Sequence, residues 1–597
     1  MNNLYSITCL SHTANTVNFQ YTCPDNSGEK WEWWALYEGA VPEYKDLGKY
    51  LKWGWICPEK KGCESSGTKT VEVGDLTSGA TYSLALFKWR WDVVDSFEFT
   101  VEPQYELKRQ VLCLNRLCDW LLSSDDDKNT RDKLMEKAKD ISQKVLADDK
   151  VNKLIGQWNL VWGPFVYKHN PNEKSTKADN IMFVVKKHNT SQYLIAISGN
   201  KSNYGMVNEC LEVNELEDWV QLLKDVSIGE LNISEDLSRI KISQGTSTGL
   251  HYIINKMGHE EQQPNLIELL QNLMKNHTQE EVEIIVTGHS LGGALSPGLA
   301  LALIDLQNQW NPTGNAKVFA LPTAGATSGN HDFALRYNQK LEKSSRDKLG
   351  ANRIWNQLDV APYTWETDML QEVPSLYKFF HTESKTVIPL VVQLAYAVSI
   401  NFIDPKLESK GIFNGLNWQE FLPFLTHHLL HKQSPYEQIC KKTAESFSGK
   451  FNKSVLSDPN SYSQVSEPIA DFLLNFVDGF KGQHENPEQH KKHIEQLKPY
   501  IEKLIALALE SIKSADDSTW KKNTARYAKE LSENYPFLKS GILTGIEDFL
   551  EAFLEDLLPA VEFFFQGGYQ HVIAYEEYFN IPDFLEELSK WMPPLAS

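Results

Sequence analysis

The stretch Ile284–Leu303 reads IIVTGHSLGGALSPGLALAL and decides how the rest of the chain is interpreted. It contains the pattern G-x-S-x-G, with Ser290 between Gly288 and Gly292. A bare pattern of this kind arises by chance in about one chain in ten of this size, so its context must be tested. The β-branched run EVEIIVT enters the pattern, and an alanine- and leucine-rich run of helical character leaves it. A strand that turns sharply through a serine into a helix is the context that favours a nucleophile.

The residues around Ser290 suit this role for physical reasons. Gly288 and Gly292 have no Cβ, so the entering strand and the leaving helix can approach each other closely. The N-terminus of the helix would place free backbone N–H groups and a positive dipole end beside Ser290. An oxyanion that forms on a bound ester would be stabilised at this point.

A nucleophilic serine needs a base, and the base needs a carboxylate that orients it. In α/β-hydrolases these residues follow the serine in the order acid, then histidine. Asp359 comes after the apolar strand of NRIWNQLDVAP and before a proline turn, so we predict that it is the acid. Asp332 and Asp368 are the alternatives for this role.

The base is sought near the end of the chain. His571 follows Gly567-Gly568 in FFFQGGYQHVIAY, and a loop histidine after a glycine turn can point into a cleft. We therefore predict that His571 is the base. Other late histidines lie in helical or charged runs, where we expect them to pack or to face water: His427, His428, His431, His484, His490 and His493.

The composition narrows the class of protein. The formal net charge of −20 argues against a nucleic-acid partner and against electrostatic docking on anionic lipid. The N-terminus shows no secretory signal, which predicts a cytoplasmic protein or one exported without a cleavable signal peptide. The 8 cysteines form no CxxC pair and no cluster of zinc spacing, so no metal site is expected. We expect the thiols to be reduced, with a disulfide between Cys57 and Cys63 as the alternative.

The pattern along the chain divides it into four regions. Residues 1–104 alternate apolar with polar in short runs and hold 7 of the 17 tryptophans, which predicts a β-sandwich with an aromatic core. An exposed aromatic patch for an unknown ligand is the alternative. Residues 105–155 are predicted as a helical connector or the first helices of the next domain. Residues 156–374 and 556–597 alternate strands with helices, an α/β organisation, and residues 375–555 read as a helical insertion.

Four motifs in this order resemble the class 3 lipase family. They are VTGHSLGGALS, VFALPTAGATSGNHDFA, NRIWNQLDVAP and HVIAY, and the resemblance covers roughly residues 156–375 and 556–597. It implies an α/β-hydrolase fold and a lipid ester as the substrate. The first 104 residues loosely resemble the SKICH type of immunoglobulin-like domain.

Two of the family's motifs are altered in this chain. The oxyanion strand of the family usually ends in Arg-Gly-Thr or Arg-Gly-Ser, and here YLIAISGNKS places Asn200 at the last position. The resemblance then implies an oxyanion hole formed by Asn200 and the N–H of Leu291. The supporting histidine of the family's His-x-Gly is replaced by Ser243. The run LEDWVQLLKDV, around Trp219, resembles the family's amphipathic lid.

The largest departure is the long separation between Asp359 and His571. The helical insertion fills this gap, so its ends must emerge beside the active site. It is placed to form a cap, an acyl-chain channel or a membrane-facing lid, and a helical extension packed away from the cleft is the alternative.

These observations together predict a serine carboxylic-ester hydrolase that acts on lipid esters through an acyl-enzyme. Ser290, Asp359 and His571 would form the triad, with no cofactor, and His289 is expected to support the site rather than to react. A phospholipase, a lysophospholipase or an acyltransferase would carry the same residues. Transient contact of the protein with a membrane or lipid interface is compatible with this prediction. The alternative outside the enzymes is a catalytically silent scaffold protein that binds lipid or protein.

Overall fold

The structure is a computed structural model that divides the chain into two compact units. One unit comprises residues 1–106 and 147–157, and the other comprises residues 107–146 and 158–597. The residues described are 5–12, 16–23, 32–57, 65–73, 76, 80–88, 91–101, 105–121, 130–172, 178–199, 213, 215–231, 235–277, 280–378, 388–389, 392, 434–452, 559–560 and 562–592.

The first unit contains two antiparallel sheets. One has the strand order β1-β2-β5 and the other the order β4-β3-β6-β7. The helix α3 (Asp149–Ile155) belongs to the same unit. The strands are β1 (Ser6–His12), β2 (Thr16–Thr22), β3 (Trp33–Glu38), β4 (Lys52–Trp55), β5 (Ser66–Glu72), β6 (Thr81–Phe87) and β7 (Val93–Thr100).

The aromatic residues of this unit are mostly core, as their alternation predicts. Along β3, Trp34 and Leu36 face a core shared by both sheets, because successive side chains of a strand point to opposite faces. Trp33 and Tyr37, on the other face, are buried in a second aromatic cluster. Trp53 is 44% exposed, so some aromatic surface remains. Cys57 is disulfide-bonded, which departs from the expectation of reduced thiols; Cys63 lies outside the described residues.

The second unit is built on a seven-stranded mixed sheet with the order β16-β15-β14-β13-β10-β9-β8. Five of its strands run parallel to one another: β10, β13, β14, β15 and β16. Strand β9 pairs antiparallel with β10, and β8 pairs antiparallel with β9 at the edge of the sheet. The small pair β11 (Leu216–Asp218) and β12 (Lys241–Ser243) forms a separate ribbon. The sheet strands are β8 (Trp158–Tyr167), β9 (Asn180–Lys187), β10 (Gln192–Ile197), β13 (Val282–His289), β14 (Ala316–Thr323), β15 (Ile354–Asn356) and β16 (Glu445–Phe447).

Helices cover the sheet and connect its parallel strands, which is the predicted α/β organisation. The α-helices of this unit are α1 (Leu107–Trp120), α2 (Arg131–Ala147), α4 (Trp219–Val226), α5 (Gln244–His251), α6 (Leu266–Asn276), α7 (Leu291–Asp305), α8 (Gln307–Trp310), α9 (His331–Tyr337), α10 (Lys343–Leu349), α11 (Thr367–Leu370), α12 (Ile573–Phe579) and α13 (Pro582–Ser589). Residues 562–571 are also helical.

The predicted connector, residues 105–155, is divided between the two units. Helix α1 packs against β9, β10 and β13, and its residues from Gln110 to Asp119 are all buried. It is therefore one of the first helices of the α/β unit rather than a linker. Residues 147–157 belong instead to the unit of the β-sandwich.

Residues 375–555 are predicted to be almost entirely helical and to lack strands, and the structure departs from this at one described segment. Glu445–Phe447 form β16, which pairs in parallel with β15 and extends the central sheet. Three residues are too few to show an alternation of period two, so the sequence pattern could not reveal this strand. Most of the remaining insertion, including nearly all of Val387–Ile403, lies outside the described residues. In the described part of the chain, no helix combines the length and the apolar character needed to cross a membrane.

Candidate active site

Ser290 lies on a sharp turn between β13 and α7. Its backbone has φ 59 and ψ −121, a conformation that residues with a side chain rarely adopt. The turn is held because the Ser290 N–H donates to the carbonyl of Thr323 on the neighbouring strand, at 3.1 Å. A Cβ at Gly288 would collide with the backbone of Gly292, and a Cβ at Gly293 would collide with the carbonyl of Thr323. The strained serine is therefore supported by close backbone contacts on both sides.

The three predicted side chains form one hydrogen-bonded chain. His571 Nε2 lies 2.7 Å from Ser290 Oγ, and His571 Nδ1 lies 2.9 Å from both carboxylate oxygens of Asp359. Asp359 is only 1% exposed, whereas the His571 side chain is 22% exposed. The carboxylate accepts the Nδ1 proton, which leaves Nε2 free to accept the serine proton.

His571 is held differently from the way the sequence indicates. It is the last residue of the helical run 562–571, and it does not lie in a loop after a glycine turn. Gly567 and Gly568 are part of that helix, because its packing outweighs their weak helix propensity. The side chain projects from the end of a helix, which restrains it more than a loop would.

A small network fixes the carboxylate of Asp359. The Tyr575 hydroxyl donates to Asp359 Oδ2 at 3.1 Å, and the Ala361 N–H donates to Asp359 Oδ1 at 3.0 Å. The same Tyr575 oxygen accepts from the Asn356 N–H at 2.9 Å. The Asn356 side-chain amide donates to the carbonyl of Gln570, one residue before the histidine, at 2.9 Å. Asp359 and the helical run that carries His571 are thus joined through Asn356 of β15 as well as directly.

His289 contacts the backbone of His571. Its Nε2 lies 2.7 Å from the carbonyl oxygen of His571, and its Nδ1 lies 3.0 Å from Thr323 Oγ1. A carbonyl oxygen can only accept, so the His289 Nε2–H donates to His571, while the Thr323 hydroxyl also lies 3.3 Å from the Gly288 carbonyl, to which it can donate. His289 therefore contacts the end of the helical run that carries His571, and its ring centroid lies 5.0 Å from that of the His571 ring.

The electrostatics of the site stabilise the protonated form of the His571 imidazole. Burial opposes the charge of His571, but the charge and hydrogen bond of Asp359 outweigh it and raise the pKa of His571 above its usual value. Burial and the nearby Asp359 carboxylate raise the pKa of Tyr575 well above its usual value, so the phenol stays protonated and donates. This environment suits a base that becomes a cation during the reaction.

One of the two predicted oxyanion donors is described. Leu291 is the first residue of α7, directly after Ser290, and the first N–H groups of a helix have no partner within the helix. Asn200, the other predicted donor, lies outside the described residues. Gly199 is described, and it contacts the turn: a Cβ there would lie 3.3 Å from Ser290 Cβ. The end of β10 therefore reaches the serine.

The competing residues are placed elsewhere. Asp332 pairs with Arg239 at 3.2 Å, and Asp368 is exposed. The competing histidines at 427, 428, 431, 484, 490 and 493 lie outside the described residues. Within the described ranges, no group of three or more His, Cys, Asp or Glu side chains is placed to hold a metal ion.

Two segments that the family resemblance points to, the lid-like run around Trp219 and Ser243, have structural roles in the core. The predicted lid is the buried helix α4, where Trp219 is 0% exposed and its Nε1–H donates to Asp305 Oδ2 at 2.8 Å. Its apolar side chains, Trp219, Leu222, Leu223 and Val226, belong to the core of the unit, and the helix contacts α5 and β11. Ser243, at the position of the family's supporting histidine, caps α5 by accepting the Thr246 N–H at 3.0 Å.

Comparisons with known proteins agree with the motifs. Residues 213–368 match the family model described as Lipase (class 3). A search of curated proteins finds no match.

Among solved structures, M37 lipase is 24% identical, covers 58% of this chain and 86% of its own, and has a TM-score of 0.39. The lipase from Rhizopus microsporus var. chinensis is 12% identical and covers 44% of this chain and 70% of its own, with a TM-score of 0.27. The Rhizomucor miehei lipase propeptide complex is 14% identical, with 43% and 61% covered and a TM-score of 0.25.

Proposed function

We propose that this chain, whose residues 213–368 belong to the class 3 lipase family, is a serine hydrolase that cleaves carboxylic esters of lipids. The observation that carries the proposal is the continuous hydrogen-bonded chain from Ser290 through His571 to Asp359. Nucleophile, base and orienting acid each meet the geometry required of their roles.

The mechanism follows from these contacts. Ser290 Oγ attacks the ester carbonyl while its proton passes to His571 Nε2, and Asp359 stabilises the resulting imidazolium through Nδ1. The tetrahedral oxyanion accepts the Leu291 N–H at the start of α7, and by position also that of Asn200. The protonated His571 then gives its proton to the leaving alcohol, and an acyl-serine forms. A water molecule, deprotonated by the same histidine, hydrolyses the acyl-enzyme and releases the acid.

The insertion supports the finer proposal of a cap over the acyl chain. Residues 453–558 lie between Asn452 and the helix that carries His571, and Gln566 Nε2 donates to the carbonyl of Asn452 at 2.8 Å. Asn452, which precedes this segment, is therefore in contact with Gln566, which lies five residues before His571 in the sequence. A triacylglycerol-type or phospholipid-type ester fits this arrangement equally well.

The test is a panel of p-nitrophenyl esters, triacylglycerols and phospholipids, each incubated with the full chain and with Ser290→Ala. We expect the wild type to release fatty acid from at least one class and Ser290→Ala to lose at least about 10³-fold in kcat. Equal hydrolysis by both proteins would overturn the proposed nucleophile. Binding of lipid vesicles without hydrolysis of any ester would instead favour the silent scaffold.

A further inference from the structure

A buried group of three charged side chains lies beside the triad and takes no part in the mechanism above. Arg116 and Asp119 on α1 and Glu576 on α12 are 5%, 6% and 12% exposed at their side chains. Arg116 Nη1 lies 2.8 Å from Asp119 Oδ2, and Arg116 Nη2 lies 2.6 Å from Glu576 Oε1. Burying three charges costs folding free energy unless each charge is well paired. We therefore expect this group beside the active site to have a role.

The other carboxylate oxygen of Asp119, Oδ1, reaches the segment next to Ser290. The Gly199 N–H donates to Asp119 Oδ1 at 2.6 Å, in a buried contact. Gly199 in turn lies directly against the turn of Ser290: a Cβ built on it would be 3.2 Å from the carbonyl oxygen of His289. Asp119 therefore links α1 to the Gly199 backbone, beside the bond from Asn115 Nδ2 on the same helix to the Ile197 carbonyl at 3.1 Å.

Arg116 holds Asp119 in this geometry. Burial opposes the charge of Arg116, but Glu576 and Asp119 outweigh it, and the pKa of Arg116 is raised. The guanidinium stays charged and divides its donors between the two carboxylates. Glu576 directly follows Tyr575, which donates to Asp359, so the same α12 that holds the acid also holds the far end of this network.

We propose that Asp119, oriented by Arg116 and Glu576, is a positioning residue that holds the Gly199 backbone against Ser290 for oxyanion stabilisation. The segment carries Ser198-Gly199-Asn200 where the family has Arg-Gly-Thr or Arg-Gly-Ser, so it lacks the hydroxyl of that motif. The buried charge on α1 supplies an anchor from outside the segment. This inference rests on the proposed function, because only an acyl-transfer reaction needs the oxyanion hole.

The experiment compares Asp119→Ala, Asp119→Asn and wild type in ester hydrolysis, with kcat corrected for active sites by titration with a fluorophosphonate. We expect kcat of Asp119→Ala to fall about 10- to 100-fold with KM changed less than about twofold, since a misaligned oxyanion site acts on the transition state. Asp119→Asn keeps an oxygen that can accept the Gly199 N–H, so we expect a smaller loss.

The matched control is Asp305→Asn at the far end of α7. Asp305 is likewise a buried carboxylate paired with an arginine, Arg336, and it lies at the opposite end of α7 from Ser290. We expect this variant to lower the melting temperature and leave kcat per active site unchanged. An Asp119→Ala variant that keeps wild-type kcat, or loses affinity only in KM, would overturn the positioning role.

A second measurement separates this inference from the proposed function. Hydrogen–deuterium exchange at the Gly199 amide is expected to speed up in Asp119→Ala and not in Asp305→Asn, whether or not an ester is hydrolysed. Unchanged exchange would show that Asp119 does not hold this backbone. If the wild type hydrolyses no ester and does not react with the fluorophosphonate, the proposed function fails, and the catalytic part of this inference fails with it.

Discussion

At the scale of single residues, the chemistry of the site depends on the charge of His571. Burial lowers the pKa of this imidazole, but the charge and hydrogen bond of Asp359 raise it by more; the nearby Arg116 lowers it and Asp119 raises it, and the net pKa is raised. If His571 is the base, as proposed, it must be neutral to accept the serine proton, so kcat/KM should increase as pH rises through its raised pKa. The acidic limb of the pH profile should therefore lie above pH 6.5, the usual pKa of histidine.

The Asp359→Asn variant tests this balance. Removing the carboxylate leaves burial and Arg116 as the dominant influences, so the pKa of His571 should fall and the acidic limb should move to lower pH. The rate at the plateau should fall by about 10⁴-fold, because the wrong imidazole tautomer is favoured. The measurement is kcat/KM against pH for wild type and variant. A limb that stays in place while the plateau falls would contradict the assigned pairing.

The residue types of the site could be predicted from sequence, but their supporting contacts could not. Ser290, Asp359 and His571 are each marked by a local pattern of strand, turn or glycine, and they meet in the structure, while their catalytic roles stay predictions. The contact of His289 with the His571 carbonyl joins residues 282 positions apart, and no local pattern indicates it. Asp119 lies in a helix that reads as a connector, so its contact with Gly199 was equally hidden.

At the scale of elements, the turn between β13 and α7 depends on three glycines rather than two. The sequence indicates Gly288 and Gly292 through the G-x-S-x-G pattern. Gly293 is not part of the pattern, yet it brings α7 into contact with the Thr323 carbonyl of β14. The sequence could not reveal this requirement, because it arises from the distance between a helix and a strand that are not adjacent along the chain.

A single methyl group at this position should therefore be costly. In Gly293→Ala the added Cβ meets backbone, which cannot rotate away as a side chain can, so α7 or β14 must shift. We expect a loss of about 3 kcal/mol of stability and of most ester hydrolysis, measured by thermal melting and by initial rates. Gly229→Ala is the control, since a Cβ there meets nothing within 4 Å. Similar melting temperatures for the two variants would refute this role of Gly293.

At the scale of the whole molecule, patterns of period two and 3.6 were sufficient to predict a β-rich first unit and an α/β second unit. These patterns failed where an element is short, and where the same amphipathic pattern fits both a lid helix and a core helix. The strand β16 has three residues, too few to show a period, and helix α4 has the amphipathic pattern of a lid although that face is buried in the core. Residues 105–155 are polar in pattern but divide between the two units.

The insertion offers a prediction at this scale. Asn452 and Gln566 are hydrogen-bonded to each other, so a short Gly-Ser linker can replace residues 453–558 without pulling the sheet apart. If these residues cap the acyl chain, the shortened protein should still cleave a short-chain ester but prefer a different chain length. The measurement is kcat/KM across esters from C2 to C16, with Ser290→Ala in the shortened chain as the blank. An unchanged preference would mean that the segment packs away from the cleft.

The central claim is that Ser290 is the nucleophile, and covalent labelling tests it most directly. The full chain is treated with a fluorophosphonate, digested, and the modified residue is located by mass spectrometry. We expect a single phosphonyl adduct on Ser290, absent from Ser290→Ala and formed much more slowly in His571→Ala. An adduct on another residue, or no adduct in a protein that hydrolyses lipid esters, would contradict the account.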